Sequence, residues 1–189
     1  DTAMEAKIQY VLTGTSAADT ITGGALADTI TGGAGGDSIN MGAGANTYDF
    51  VTGSSIVYSA TSDANTAYAA GETITFATTS AGNVDTITGF VAGAGGDMIS
   101  TGLTAAMATS GLAATLTSNA DSVADKTYYL SGAYVAATGV FTIAADGAGA
   151  DTLVWANLDA ANDTKATVDT WVVLIGVDSG DLVAANFIA

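Results

Sequence analysis

Histidine, cysteine and arginine are all missing from this 189-residue chain, and lysine occurs only at positions 7, 126 and 165. Each absence removes a class of chemistry. Without histidine there is no Ser-His-Asp or Cys-His nucleophile system and no H-E-x-x-H zinc site. Without cysteine there is neither a disulfide framework nor a thiolate zinc cluster. Three lysines cannot neutralise a run of phosphates, which argues against nucleic acid and disfavours anionic membrane surfaces. The Gly-rich stretches lack the lysine and the strand-to-helix setting of a phosphate-cradling loop. Mean hydropathy is +0.41, yet no apolar run approaches the ~20 residues of a membrane span. The densest patch, 171–177 (WVVLIGV), has the length of a buried strand. The chain opens DTAMEAKI, with no basic segment leading into an apolar one, so no conventional signal peptide is visible. It reads as the C-terminal piece of something larger.

What the chain has in quantity is aspartate. Formal net charge is −16, and 17 of the 19 acidic residues are Asp, with Glu only at 5 and 72. Short, turn-borne carboxylates suit a hard cation. For the acids outside the repeats described next, a solvated, self-repelling surface is the alternative. A glycosidase-type carboxylate pair needs nothing but Asp, but most Asp residues sit in Gly turns where a cation would hold them ionised. The chain is therefore not expected to be an enzyme.

Between 14 and 49 an Asp or Asn returns every nine residues, followed two places later by a large apolar side chain: Asp19/Ile21, Asp28/Ile30, Asp37/Ile39 and Asn46/Tyr48. The preceding blocks are GTSAAD, GGALAD, GGAGGD and MGAGAN. A nonapeptide G-G-x-G-x-D-x-U-x is the signature of a calcium-binding parallel β-roll. Glycine lets a six-residue turn curl tightly and aim carbonyls inward, and calcium takes six to eight oxygens from carboxylates and carbonyls. Two nonapeptides make one coil. Asp19 and Asp37 then share one edge, and Asp28 and Asn46 share the other.

These blocks resemble the RTX (repeat-in-toxin, hemolysin-type) calcium-binding repeats of proteins exported by type I secretion. The resemblance implies a Ca2+ cofactor held by Asp19, Asp28, Asp37 and Asn46, together with the turn residues Gly14, Gly23, Gly32 and Gly35. Partial echoes add Asp85 in NVDTITGF (83–90), Asp97 in GAGGDMI (93–99) and Asp151 in DGAGADTL (146–153). Thr15, Ala17, Leu26 and Asn46 depart from the pattern, so the Asp19/Asp37 pair is expected to bind more strongly than Asp28/Asn46.

The fold class expected is all-β: a short parallel β-roll with its lead-in strand over 1–50, then a larger β-roll or β-sandwich domain over 51–189. Strands are expected at 8–12, 55–59, 73–77, 127–130, 139–144, 151–156 and 171–177, and one short helix within 101–118. Tyr128, Tyr129, Phe141, Trp155 and Trp171 are expected to supply a core. The tail VDSGDLVAANFIA resembles an uncleaved type I export signal; a short amphipathic helix capped by Ser179, packing Leu182 and Phe187, is the alternative. The Ala/Thr/Gly-rich, Lys-poor composition is similar to that of S-layer proteins leaving by the type I route. The resemblance thus implies a calcium-dependent structural protein of the extracellular cell surface. Its partners would be other copies in a lattice, the type I secretion machinery and the upstream polypeptide. A large RTX adhesin, or the export module of a secreted protease or lipase, remain the other readings.

Overall fold

A nine-residue repeat that spends six residues on a turn leaves three for a strand. The computed structural model describes residues 7–50, 58–59, 70–71, 73–76, 84–101, 108–110, 126–157 and 170–188. In it, β1 (Val11–Thr13), β2 (Thr20–Thr22), β3 (Thr29–Thr31), β4 (Ser38–Asn40) and β5 (Thr47–Asp49) are three residues each. There follow β6 (Tyr58–Ser59), β7 (Thr73–Phe76), β8 (Asp85–Thr88), β9 (Met98–Ser100) and β10 (Ala108–Ser110). The last are β11 (Lys126–Val135), β12 (Val140–Ile143), β13 (Asp151–Asn157), β14 (Thr170–Leu174) and β15 (Phe187–Ile188).

Successive repeat strands go to opposite sheets. β1 lies parallel to β3 with Val11 against Thr29, and β2 parallel to β4 with Thr20 against Ser38. One coil is therefore two repeats, the geometry of a parallel β-roll. The central residue of each triplet points inward, and the register stacks them in columns. Leu12, Ile30, Tyr48, Ile99 and Phe187 form one column, and Ile21, Ile39, Ile87 and Leu174 the other. Burying each such side chain stabilises the fold by roughly 1.5–3 kcal/mol, which three-residue strands need because so few backbone bonds hold them.

The roll does not stop at residue 50. β8 continues it on β4, β9 on β5, β14 on β8 and β15 on β9, all in parallel. The chain leaves the stack after β5 and again after β9, and each time returns one level further along. One sheet runs β1-β3-β5-β9-β15; the other runs β2-β4-β8-β14-β13-β11-β12-β7-β6, with β10 beside β11. From β14 onward that second sheet turns antiparallel. Alternation along β13 and β14 divides them between two cores. Val154, Val172 and Leu174 join the roll interior, while Leu153, Trp155, Trp171 and Val173 join a second cluster with Leu130 and Phe141. There Trp155 stacks on Trp171 (5.1 Å between centroids) and on Tyr128 (5.2 Å). Tyr129 faces the roll side and stacks on Phe187.

The strands expected at 73–77, 127–130, 139–144, 151–156 and 171–177 are β7, β11, β12, β13 and β14. The one expected at 8–12 begins later, at Val11, and 55–57 lie outside the described residues. Of 101–118, where one short helix is expected, Ala108–Ser110 is not helical but strand β10, parallel to β11, and 102–107 and 111–118 lie outside the described residues. Nor does the tail form an amphipathic helix. It makes two single 3-10 turns, Ser179–Asp181 and Ala184–Asn186, and Asp178 supplies the cap by accepting the Gly180 N–H at 2.8 Å. Leu182 and Phe187 do pack on the roll core.

Candidate metal centre

The sixth residue of each repeat sits where a turn enters a strand, so stacking the coils stacks these side chains into two columns. On the first edge the Asp19 N–H donates to Asp37 Oδ1 at 2.8 Å, and the Asp37 N–H to Asp85 Oδ1 at 2.9 Å. On the second edge Tyr10 N–H donates to Asp28 (2.7 Å), Asp28 N–H to Asn46 (2.9 Å) and Asn46 N–H to Asp97 (2.7 Å). Asn186 closes that edge. Its amide donates to the carbonyls of Asp97 (2.7 Å) and Gly93 (3.1 Å), and its oxygen accepts the Gly93 N–H at 3.0 Å.

The second carboxylate oxygen usually turns back into its own loop. Asp19 Oδ2 accepts Thr15 N–H (2.6 Å), Asp28 Oδ2 accepts Gly24 N–H (2.5 Å) and Asp97 Oδ2 accepts Val91 N–H (2.7 Å). Asp37 breaks this rule: its Oδ2 is buried with no hydrogen-bond partner among the described residues. Asp85 Oδ2 instead takes the Tyr48 hydroxyl at 2.5 Å. Asp37 and Asp85 are 1 % and 0 % exposed. Burial is what pushes the Asp85 carboxyl up to about 8; the Tyr48 hydroxyl and the Asp37 N–H offset part of that, and the charge of Asp37 adds to it. Burial also raises Asp37, against the Asp19 N–H bond and with the Asp19 charge.

The glycines make room for this stacking. A Cβ on Gly14 or Gly23 would stand 1.9 Å from the Gly32 carbonyl oxygen and 2.2 Å from that of Met41, in the next coil. A Cβ on Gly32 would meet Asp37 Oδ2 at 2.5 Å and Asp85 Oδ2 at 3.2 Å. Gly35 has φ +109°, a conformation that glycine adopts without strain.

Asp151 is in neither column. Its carboxylate accepts the N–H groups of Tyr134 (2.8 Å) and Gly176 (2.9 Å), tying β11 to the turn after β14. The DGAGADTL turn has repeat-like grammar but feeds an antiparallel strand, so among the described residues no coil stacks on it. Asp151 is a structural brace in this position.

Among the described residues no three acidic side chains converge at one point. A cation between coils would thus meet one or two side-chain carboxyls and take its remaining oxygens from the backbone and solvent, a donor set that calcium accepts. Buried carboxyls one coil apart, one with an unpaired oxygen, fit such a cation. Fold and columns together define a calcium-binding parallel β-roll. Residues 13–48 match the family model of the RTX calcium-binding nonapeptide repeat, in four copies. This segment is an RTX repeat array, and Ca2+ is its cofactor. No curated protein matches the chain. Proteins with such repeats are typically secreted, and among the described residues no helix is long and apolar enough to cross a membrane.

Two participants in the columns are not evident from the sequence pattern. Tyr48 fits the pattern as an inward-facing apolar residue, although a tyrosine where the other repeats have Ile brings a hydroxyl inside the roll. Asn186 falls in the export-like terminal tetrad; its only other signal is the Asn-Phe-Ile order, an Asx just before an apolar pair.

Proposed function

We propose that this chain is the calcium-dependent, non-catalytic C-terminal region of a secreted cell-surface protein of the S-layer kind. The observation that carries this reading is the first edge, where three carboxyl residues, Asp19, Asp37 and Asp85, follow one another coil by coil. Coils lie about 4.8 Å apart, and unit charges at that spacing repel by roughly 3 kcal/mol at an effective dielectric of about 20. A bound cation reverses the sign. With a dissociation constant near 10⁻⁴ M and millimolar calcium, each site contributes about 1.4 kcal/mol. Several sites together separate a loose chain in a calcium-poor cytosol from a compact one outside. Type I export fits that order of events: Phe187 is 4 % exposed in the folded chain, so machinery reading the tail would meet it before folding. Outside, folded copies would assemble laterally in a layer with the upstream polypeptide.

The test is circular dichroism and thermal melting in millimolar calcium and in EGTA, with electron microscopy of the calcium-loaded protein. A lower melting temperature in EGTA and ordered two-dimensional sheets in calcium are expected. Equal melting in both would remove the calcium switch, and calcium-folded but dispersed particles would remove the lattice.

A further inference from the structure

We propose that Asp37 and Asp85 form a divalent-cation site split across the chain, which fastens the antiparallel sheet to the last coil of the repeat array. The inference rests on the calcium reading of the repeats and extends it past residue 48, where the repeat match ends.

Four observations meet at this point. The Asp37 N–H bonds to Asp85 Oδ1 from 48 residues away, so the two carboxyls share the edge although the sequence separates them. The other oxygen of Asp37 is buried without a hydrogen-bond partner among the described residues. Gly32 leaves open the space beside both Oδ2 atoms, which any side chain would fill. Tyr48 sets its hydroxyl on Asp85 Oδ2. A buried carboxyl oxygen with no donor bears the full cost of its lost hydration, and a cation shared with Asp85 removes that cost.

The site also ends the acidic edge. β14 follows β8 in the stack, and in the register Val172 lies beside Asp85, so no further carboxyl continues the column. β8 is the strand through which β4 of the roll reaches β14 and the antiparallel strands beyond. A cation held by Asp37 from the repeats and Asp85 from β8 therefore joins the array to the remainder of the sheet. The other repeat-edge pairs lie within residues 13–48 or on the second edge, and make no such junction.

The experiment compares the full chain with Asp85→Asn and Tyr48→Phe. Equilibrium dialysis with radioactive calcium counts bound ions, and terbium(III) emission excited through tyrosine reports a lanthanide close to Tyr48. Asp85→Asn is expected to bind one ion fewer while its repeats still bind calcium. Tyr48→Phe is expected to lose most of the tyrosine-sensitised emission. An unchanged ion count in Asp85→Asn overturns the proposal. Should that variant fail to fold, unchanged emission in Tyr48→Phe overturns it instead. Absence of calcium binding by the unaltered chain would sink the calcium reading of the repeats themselves, a separate failure.

Discussion

The two edges of the roll are built by one rule and filled differently. The first edge runs Asp19, Asp37, Asp85, three carboxyls in succession; the second runs Asp28, Asn46, Asp97, Asn186, where carboxyl and amide alternate. An amide donates as well as accepts. Asn46 can answer the Gly44 carbonyl at 3.4 Å, and Asn186 those of Gly93 and Asp97, so the second edge satisfies itself. The first edge has no such donor among the described residues and is left with a buried, unpaired oxygen on Asp37. Similar turns thus leave one edge with an unsatisfied buried carboxyl oxygen and the other, among the described residues, without one.

The sharpest way to break this contrast is to truncate one side chain on each edge. Asp37 borders two gaps of the first edge, below to Asp19 and above to Asp85. In millimolar calcium Asp37→Ala should cost about 3 kcal/mol, from two sites at about 1.4 kcal/mol each, and lower the melting temperature by roughly 6–12 °C. In EGTA the calcium-dependent part of that difference should vanish, leaving the cost of the half-buried Asp19 N–H that loses its acceptor. Asn46→Ala should behave otherwise: it strands the buried Asp28 N–H, costing about 1–3 kcal/mol with or without calcium. Thermal melts of both variants in both media decide the matter, and equal calcium dependence would erase the distinction between edges.

A pH series on the calcium-free protein probes the first edge by another route. Asp85 sits at about 8 in the folded chain against an ordinary value of 3.8. Between those values the folded chain holds a proton that the unfolded chain has released. The stability this proton supplies is full below about pH 4 and is lost as pH rises through about 8; the raised Asp37 acts in the same direction. In EGTA the melting temperature should therefore fall from about pH 5 to about pH 8.5, and Asp85→Asn should flatten the fall. A melting temperature that rises over this range in the unaltered protein would show that the carboxyl is ionised without calcium.

How much of this is legible in the sequence depends on whether the chain keeps step. Over residues 14–49 the nine-residue spacing places Asp19, Asp28, Asp37 and Asn46 and the inward side chains at their levels, because the coils there are contiguous. After residue 50 the step fails. Asp85 follows Asp37 by 48 residues and Asp97 follows Asn46 by 51, in place of the 18 within the array. Excursions of arbitrary length separate them, and only the local Asp-x-Ile grammar marks the return. That grammar is insufficient alone. Asp151, in Asp-Thr-Leu, has its like, yet β13 pairs antiparallel with both its neighbours. What makes an Asp a member of a column is the strand that lands beside it, a property of sheet order. The aromatic core is legible because bulky apolar residues in period-two strands have few places to go; its division into two clusters follows only from β13 and β14 having two covered faces.

The gentlest test converts the second edge into a likeness of the first. Asn46→Asp would put carboxyls at 28, 46 and 97 in succession, with the oxygen facing the Asp28 N–H retained. The lost amide contact to Gly44 is long, at 3.4 Å, so the packing cost is small. The added charge acts in opposite directions in the two media. In calcium the variant should bind more tightly, by roughly two- to ten-fold, or about 0.4–1.4 kcal/mol. In EGTA it should melt below the parent, because three adjacent carboxyls then repel without a counter-ion. Calorimetric titration beside melts in both media would detect the pair of shifts. A variant stabilised in calcium and in EGTA alike would mean that the amides on this edge do not serve to dilute charge, and the contrast between edges would have to rest on burial alone.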